Sequence, residues 1–350
     1  MIVNCMKRQV AFSCMDITIN IGAGFPAKKG RDMRRPESRS DTAAPVIMEQ
    51  VTLAPFTSMG VGGPARFFIQ VDTIDQLIAA LHHARQHRLP YYLLGGGTNV
   101  LVSDAGFDGL VIQMKLASIS TDGEKLSAEA GAELSVVVET AAEKGITGLE
   151  HLAGIPGTLG GAVRGNAGAF GVSLGDVVTE VTVINAETLE WEIYVREKCR
   201  FLYRDSIFKQ NPGLIVVSAT VGLAAGDPLE IRRSMTSIFQ KRESLEKGKS
   251  VGSYFMNPVP DDPVIVEKFE KECKVVCRNC MIPAGWFIEQ AGLRGMRMGG
   301  AMVSEKHCNY LINTGTATAE DLRALARTVK KIVREKMGIE LQEEVNYVGF

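Results

Sequence analysis

The positions best suited to chemistry in this chain are glycines. Between Gly154 and Gly171 seven of eighteen residues are Gly (154, 157, 160, 161, 165, 168 and 171), interleaved with Pro156, Asn166 and three alanines. A packed helix or strand gains nothing from such a stretch, because each Gly costs backbone entropy and has no side chain to bury. Something must approach the backbone closely. Successive N–H groups exposed in positive-φ turns make a concave anion site, which suits a pyrophosphate. Gly95-Gly96-Gly97-Thr98-Asn99, placed after an apolar run, offers another such loop, the first in chain order. Either loop alone reads equally well as a tight turn, but two in successive units favour a large phosphate-bearing ligand. Two familiar nucleotide motifs do not fit. Val100 breaks G-x-G-x-x-G in the first loop, and Glu243 stands where a P-loop ending in Gly248-Lys249-Ser250 needs Gly.

Cysteine is the other reactive residue type. Seven cysteines are scattered through a chain too large to need disulfide staples, which fits a reducing compartment. Cys273, Cys277 and Cys280 form C-x3-C-x2-C, a spacing that resembles the iron–sulfur cysteines of radical enzymes using S-adenosylmethionine. It lies late in the chain and needs no fourth group, so the three read as ordinary thiols and no metal is expected. His307-Cys308 could supply a zinc ligand.

These residues need elements to position them. Residues 1–49 read as a poorly ordered tail, with Lys28, Lys29, Arg31, Arg34, Arg35 and Arg39 among Gly, Pro, Ser and Asp. Ordered structure is expected from about Val51. Ala65 to Val71 predicts a strand, and Thr73 a capped helix through Ile74, Leu77, Ile78 and Leu81. Tyr91 to Leu94 and Leu110 to Met114 predict strands on either side of the first glycine loop, completing a unit over 50–116. A second unit, 117–226, holds a helix at Glu133 to Lys144, a hairpin of Val177 to Ile184 with Trp191 to Val195, and a long strand from Leu214 to Leu223. A third, 227–350, opens with a charged helix from Pro228 to Lys247. Its last helix starts at Thr318 with Asp321 completing a capping box, buries Leu322, Leu325, Val329, Ile332 and Val333, and stops at Gly338.

With 39 basic and 40 acidic side chains the formal charge is −1, which excludes a globally basic nucleic-acid binder. No apolar run reaches the ~18–20 residues of a membrane-spanning helix. Lys7-Arg8 precedes only a few apolar residues before Asp16, a poor secretory signal. A soluble, cytoplasmic protein is the expectation, with no membrane insertion.

Eight segments, in order from residue 51 to the end, resemble the UDP-N-acetylenolpyruvoylglucosamine reductase family. They are Thr57-Ser58-Met59-Gly60-Val61-Gly62-Gly63, Leu94 to Leu101, Gly154-Ile155-Pro156-Gly157, Asn166-Ala167-Gly168-Ala169-Phe170-Gly171, Tyr203-Arg204-Asp205-Ser206, Gly252-Ser253-Tyr254-Phe255, Ala284-Gly285-Trp286 and Leu341-Gln342-Glu343-Glu344-Val345. The resemblance implies an α+β fold: a two-subdomain FAD-binding region of the vanillyl-alcohol-oxidase (PCMH-like) type and a smaller α+β substrate domain, the C-terminal strand returning to the active site. It implies FAD bound by Gly95, Gly96, Gly97, Thr98, Asn99, Val100, Ile155, Pro156, Gly157, Gly160, Gly161, Asn166, Gly168 and Ala169. The implied reaction is reduction of the enolpyruvyl ether of UDP-N-acetylglucosamine to UDP-N-acetylmuramate with NADPH, in peptidoglycan precursor synthesis. An alternative on the same flavin fold is an oxidase or dehydrogenase of a small alcohol or sugar. A monomer is expected.

Hydride delivery to the β-carbon of an enolpyruvyl carboxylate builds negative charge on an anionic group. A fixed cation and hydrogen-bond donors lower that barrier, and an acid must then protonate the α-carbon. By resemblance the cation is Arg204, the proton donor Ser253 and the nearby carboxylate Glu344. Read from the residues alone, Arg204 beside Asp205 is an ordinary surface pair, Ser253 a turn residue, and Glu344 the solvent side of a strand whose other face carries Ile339, Leu341, Val345 and Tyr347, with Glu343 its competitor. Tyr203, Lys241 or Arg242, Asn257 and Gln290 are the substrate candidates by position. The stretch from Arg204 to Ser253 is short, resembling the subgroup without an extra tyrosine-bearing loop. The chain departs from the family at Arg164, where an apolar or aromatic side chain is usual, at Phe170 for Tyr, and at Met256 for Lys.

Overall fold

The computed structural model describes residues 17–18, 46–243, 246 and 248–350. The tail expected over 1–49 lies for the most part outside them. Within them a strand already runs Val46–Thr52, with Ile17 opposite Ile47, so regular structure starts ahead of Val51.

The first sheet has Pro64–Val71 at its centre, antiparallel to Val46–Thr52 and parallel to Phe107–Met114, which in turn pairs in parallel with Tyr91–Leu94. Parallel neighbours need a crossover, and the helix Ile74–Gln86 supplies it. Its start is set locally: Thr73 accepts from the Gln76 N–H while the Gln76 side chain accepts from the Thr73 N–H. Phe107–Met114 is buried from Gly109 onward because both its faces are covered, Val111 toward one core and Leu110 and Ile112 toward another.

The second sheet is antiparallel, ordered Trp191–Val195, Val178–Asn185, Leu214–Gly222, Lys125–Glu129, Ile119–Asp122. The hairpin has the expected strands, with Ile184 opposite Trp191. The helices Leu134–Glu143 and Leu159–Arg164 pack on this sheet, and one apolar core joins Ile69, Leu77 and Ile112 of the first unit to Val137, Val181 and Val217 of the second.

The third unit is organised by the helix Ala319–Met337, capped by Thr318 and Asp321 and ended by Gly338 at φ +69°. Leu322, Leu325, Val329 and Val333 are fully buried, each stabilising by roughly 1.5–3 kcal/mol. They pack against Ala301, Val303 and Leu311 of a three-stranded sheet and against the helix Ala284–Gln290. The charged helix is shorter than its pattern, Pro228–Glu243. Two features join this unit to the first. Met59, Val61 and Leu101 enter its core, and the strand Asn346–Val348 runs parallel to Val100–Val102. Gly349 closes that junction at φ +77°, where a Cβ would strike the Gly106 carbonyl.

Among the described residues no three His, Cys, Asp or Glu side chains could hold a metal ion, and no helix is long and apolar enough to cross a membrane. Cys273 and Cys280 are exposed, while Cys277 donates to the Met281 carbonyl.

Candidate active site and cofactor cradle

The two glycine loops lie against one another. A Cβ on Gly96 would stand 2.9 Å from Gly157 Cα, and one on Gly157 would stand 2.7 Å from Thr98 Oγ1. Thr98 Oγ1 donates to the Pro156 carbonyl at 3.4 Å. Contact between the loops therefore accounts for part of the glycine content, which the sequence leaves open between tight turns and a ligand. Gly160 is also a packing residue, its Cβ position 2.7 Å from Ala130 Cβ, and Gly97, at φ +64°, faces the Phe56 carbonyl. What remains for a ligand is the main chain itself. Among the described residues, the N–H groups of Gly96, Gly97, Thr98, Asn99 and Gly157 donate to no carbonyl, and the buried Asn99 Oδ1 has no partner. Donors for phosphate oxygens beside an acceptor awaiting a hydroxyl or ring N–H fit a flavin dinucleotide. Val100 follows as the first residue of the strand paired with Asn346.

Asn166, at φ +43°, spends both ends of its side chain within the protein, donating to the Leu202 carbonyl at 2.8 Å and accepting from Gly175 N at 2.9 Å. Its visible work is to fix the chain entering Tyr203-Arg204. Gly168 and Ala169 form a two-residue strand against Val172–Ser173, and the Gly168 carbonyl accepts from Arg204 Nη2 at 2.9 Å.

Arg204 does not pair with Asp205, which instead accepts from Ser206 N and Gln210 Nε2. Its Nε meets Glu344 Oε1 at 2.9 Å, with the two side chains 23% and 17% exposed. The residue sits at φ +55°, a left-handed conformation that costs a non-glycine residue about 1–3 kcal/mol and persists only where its surroundings over-determine it. They do so here: Leu202 and Asp205 exchange backbone hydrogen bonds, Lys209 Nζ donates to the Arg204 carbonyl at 2.7 Å, and the fully buried Ser206 donates to the Arg164 carbonyl at 2.7 Å. Among the described residues Nη1 has no hydrogen-bond partner, which leaves it able to donate to an anion.

Glu344 faces this cleft rather than solvent. Glu343, its competitor, turns the other way to Lys330 at 2.8 Å. Burial raises the Glu344 carboxyl above its ordinary range, outweighing the opposite pull of Arg204 and Lys209.

Ser253 follows Gly252, which is at φ +76°. Its loop meets the Glu344 segment as a third strand would: Glu344 N donates to the Tyr254 carbonyl at 2.8 Å, and Phe255 bridges Glu343. The hydroxyl is partly exposed and makes no hydrogen bond among the described residues. Arg204 and Glu344 are thus paired, and the serine loop is joined to the Glu344 segment through the backbone of Tyr254 and Phe255.

The substrate candidates divide. Tyr203, adjacent to Arg204 with the guanidinium 5.1 Å from its ring, accepts from Asn257 N at 3.3 Å. Asn257 Oδ1 in turn accepts from Ala284 N, holding the start of the next helix. Lys241 lies 5.4 Å from the Phe170 ring and Arg242 donates to the Gly154 carbonyl, so both border the glycine stretch. Gln290 is elsewhere, an exposed residue bonded to Lys268 and Glu272. Position alone had suggested it.

Several contributors escaped the sequence reading. Buried Asn309 clamps the serine loop, accepting from Phe255 N at 3.0 Å and donating to the Phe255 carbonyl at 2.8 Å. Tyr254 and Tyr347 share a 2.9 Å hydroxyl contact behind that loop. Tyr310 stands 4.0 Å from the Cβ position of Gly252, its hydroxyl raised by burial and within the fields of Arg242 and Glu344. A polar side chain inside an apolar run, as in Asn309-Tyr310-Leu311-Ile312-Asn313, was the available signal.

Comparison with known proteins agrees with this geometry. Residues 243–348 match the family described as UDP-N-acetylenolpyruvoylglucosamine reductase, C-terminal domain, and residues 64–189 match an FAD binding domain. The chain is 39% identical over 311 residues to UDP-N-acetylenolpyruvoylglucosamine reductase of Solibacter usitatus, covering 87% of this chain and 97% of that one. It is 38% identical over 296 residues to the reductase of the same name from Caldanaerobacter subterraneus, covering 84% and 90%. The solved reductase of Thermus caldophilus superposes with a TM-score of 0.70 at 33% identity over 86% of this chain and 98% of that one. With an FAD-binding domain, a reductase C-terminal domain and relatives matched over nearly their whole length, the chain belongs to the UDP-N-acetylenolpyruvoylglucosamine reductase family.

Proposed function

We propose that the chain catalyses NADPH-dependent reduction of UDP-N-acetylglucosamine enolpyruvate to UDP-N-acetylmuramate, the peptidoglycan precursor, as a cytoplasmic monomer whose product serves cell-wall synthesis and hence cell shape and division. FAD, when bound, supplies the hydride chemistry between NADPH and the enolpyruvyl β-carbon. Gly95 to Val100 and Ile155 to Gly161 would hold its phosphates and ribityl chain.

The protein's part is charge and proton management. Arg204, held by Glu344 through Nε and by the Gly168 carbonyl through Nη2, presents its remaining N–H groups to the substrate carboxylate as negative charge develops there. Ser253 gives its hydroxyl proton to the α-carbon and recovers one from solvent. The serine is a weak acid, and the neighbouring cation makes the donation feasible by stabilising the anion left behind. Glu344 sets the charge of the pair. Tyr203 and Asn257 fix the wall of the cleft, and Lys241 and Arg242 meet the diphosphate.

The observation carrying this reading is the Arg204–Glu344 pair in a chain of this family, with the Glu344 N–H bonded to the carbonyl of Tyr254, the residue after Ser253. The test is anaerobic. NADPH should bleach the flavin of the purified protein, and adding the enolpyruvyl sugar nucleotide should restore the colour. Reduction by a sugar or alcohol, with no response to the enolpyruvyl compound, would select the oxidase alternative instead.

A further inference from the structure

Arg164, one of the three positions at which the chain departs from its family pattern, bonds to both the Arg204 turn and the strand that follows Glu344. It ends the helix Leu159–Arg164, one turn past the second glycine loop. Its carbonyl accepts the buried Ser206 hydroxyl at 2.7 Å, which fixes the turn presenting Arg204. Its side chain reaches the other way, Nη1 donating to Asn346 Oδ1 at 3.3 Å. Asn346 then commits both of its nitrogens to Asn99, the backbone N–H at 3.1 Å and Nδ2 at 3.0 Å to the same carbonyl. Asn99 Nδ2 donates to the Glu344 carbonyl at 3.2 Å. A continuous chain of hydrogen bonds therefore runs from Arg164 through Asn346 and Asn99 to the backbone of Glu344.

Resting on the functional reading above, we infer that Arg164 is a positioning residue: its guanidinium holds Asn346, and through it Asn99 and Glu344, in the register that keeps the Glu344 carboxyl on Arg204. The arrangement explains why a long charged side chain serves here. An apolar residue would leave Asn346 Oδ1 without its donor at the point where the C-terminal strand leaves the third unit to pair with Val100–Val102. Only Val345 separates Asn346 from Glu344, so a small shift of that strand moves the carboxyl directly. Displacements of about 1 Å at reacting groups can cost up to about a hundredfold in rate.

The experiment measures the two half-reactions separately by stopped-flow absorbance on the full-length holoenzyme. For Arg164→Met we expect FAD content and bleaching by NADPH within about threefold of wild type, and return of colour on adding the enolpyruvyl sugar nucleotide slowed about tenfold. Arg164→Lys, which keeps a donor, should recover most of that loss. Asn346→Ala should slow the same step, and the Arg164→Met/Asn346→Ala double variant should be no slower than the worse single one, because both break one chain. Multiplicative effects in the double variant, a Lys variant no better than Met, or equal damage to both half-reactions with loss of FAD would overturn the inference. A wild-type protein whose bleached flavin ignores the enolpyruvyl compound would instead overturn the functional reading itself.

Discussion

Glu343 and Glu344 are neighbours in the chain and serve opposite sides of the C-terminal segment: the first meets Lys330 at 2.8 Å on the long helix, the second meets Arg204 at 2.9 Å in the cleft. One-residue alternation in extended backbone accounts for the split. It also makes the pair a controlled comparison. Glu344→Gln should leave flavin reduction by NADPH nearly intact while slowing enolpyruvyl reduction by about a hundredfold, since it removes the charge that anchors the catalytic guanidinium. Glu343→Gln should change both half-reactions little and cost about 1 kcal/mol or less in stability, the scale of a partly exposed pair. Rapid-mixing kinetics and denaturant titration of the two variants check this; a larger kinetic effect at position 343 would reverse the assignment.

Ser253→Ala should separate the half-reactions most cleanly. The hydroxyl makes no hydrogen bond among the described residues, so deleting it leaves no orphaned partner, and the melting temperature should stay at the wild-type value. Bleaching by NADPH should persist. Return of colour with the enolpyruvyl sugar nucleotide should slow by about 10²–10⁴, the range for removing a positioned acid. Ser253→Ala protein that reoxidises at the wild-type rate would strip the serine of its role.

Much of this was readable before any coordinates. Thr73, and Thr318 with Asp321, announce two helix starts because capping is local chemistry, and the Leu322 to Val333 stripe announces which face is buried. The glycine loops read in the sequence as a candidate phosphate cradle, and the structure adds that Gly97 is fitted against the Phe56 carbonyl and Gly160 against Ala130. What escaped were long-range consequences. Strands of two or three residues, such as Val100–Val102 and Ala301–Val303, are too short to show a period, and their pairing is decided by partners far along the chain. Arg204 and Glu344 were legible as individuals from the family motifs, but their ion pair was not, and the bonds of Gln290 to Lys268 and Glu272 were not either, because spacing says nothing of which way a helix end faces.

The glycines allow their two uses to be told apart. At Gly97 a Cβ meets the Phe56 carbonyl and φ is +64°, so Gly97→Ala should destabilise the fold by about 2 kcal/mol or more and lower FAD content with it. At Gly161, in the first turn of the Leu159–Arg164 helix, the nearest atom to a Cβ is Thr158 Oγ1 at 3.6 Å, which is ordinary contact. Gly161→Ala should therefore keep or raise the melting temperature, by up to about 1 kcal/mol of helix propensity. If the main chain there is approached by the cofactor, the same variant should bind FAD about tenfold more weakly. Calorimetry of the apoprotein together with flavin fluorescence titration reads both quantities. Unchanged affinity would remove Gly161 from the cradle.

The raised carboxyl of Glu344 has a consequence for stability as well as catalysis. Its folded-state value lies above the ordinary 4.5, with burial the leading cause and Arg204 and Lys209 opposing. Tyr203 and Tyr310 also face it. Between the ordinary and the raised value the folded chain holds a proton that the unfolded chain has released, so this group's contribution must fall as pH rises through that window and level off above it. Glu344→Gln cannot titrate. Subtracting its pH–stability curve from that of the wild type, by denaturant unfolding, should therefore leave a difference that declines with rising pH. Asp321 should give the opposite slope in the same experiment. Hydrogen bonds from Thr318 and Gly300 backbone N–H groups lower its carboxyl, so its stabilisation is present above the ordinary value and is lost as pH falls through the lowered one. An Asp321→Asn difference curve that fell with rising pH would mean that the capping hydrogen bonds do not govern that carboxyl, and a Glu344 curve that climbed would mean that burial does not govern the other.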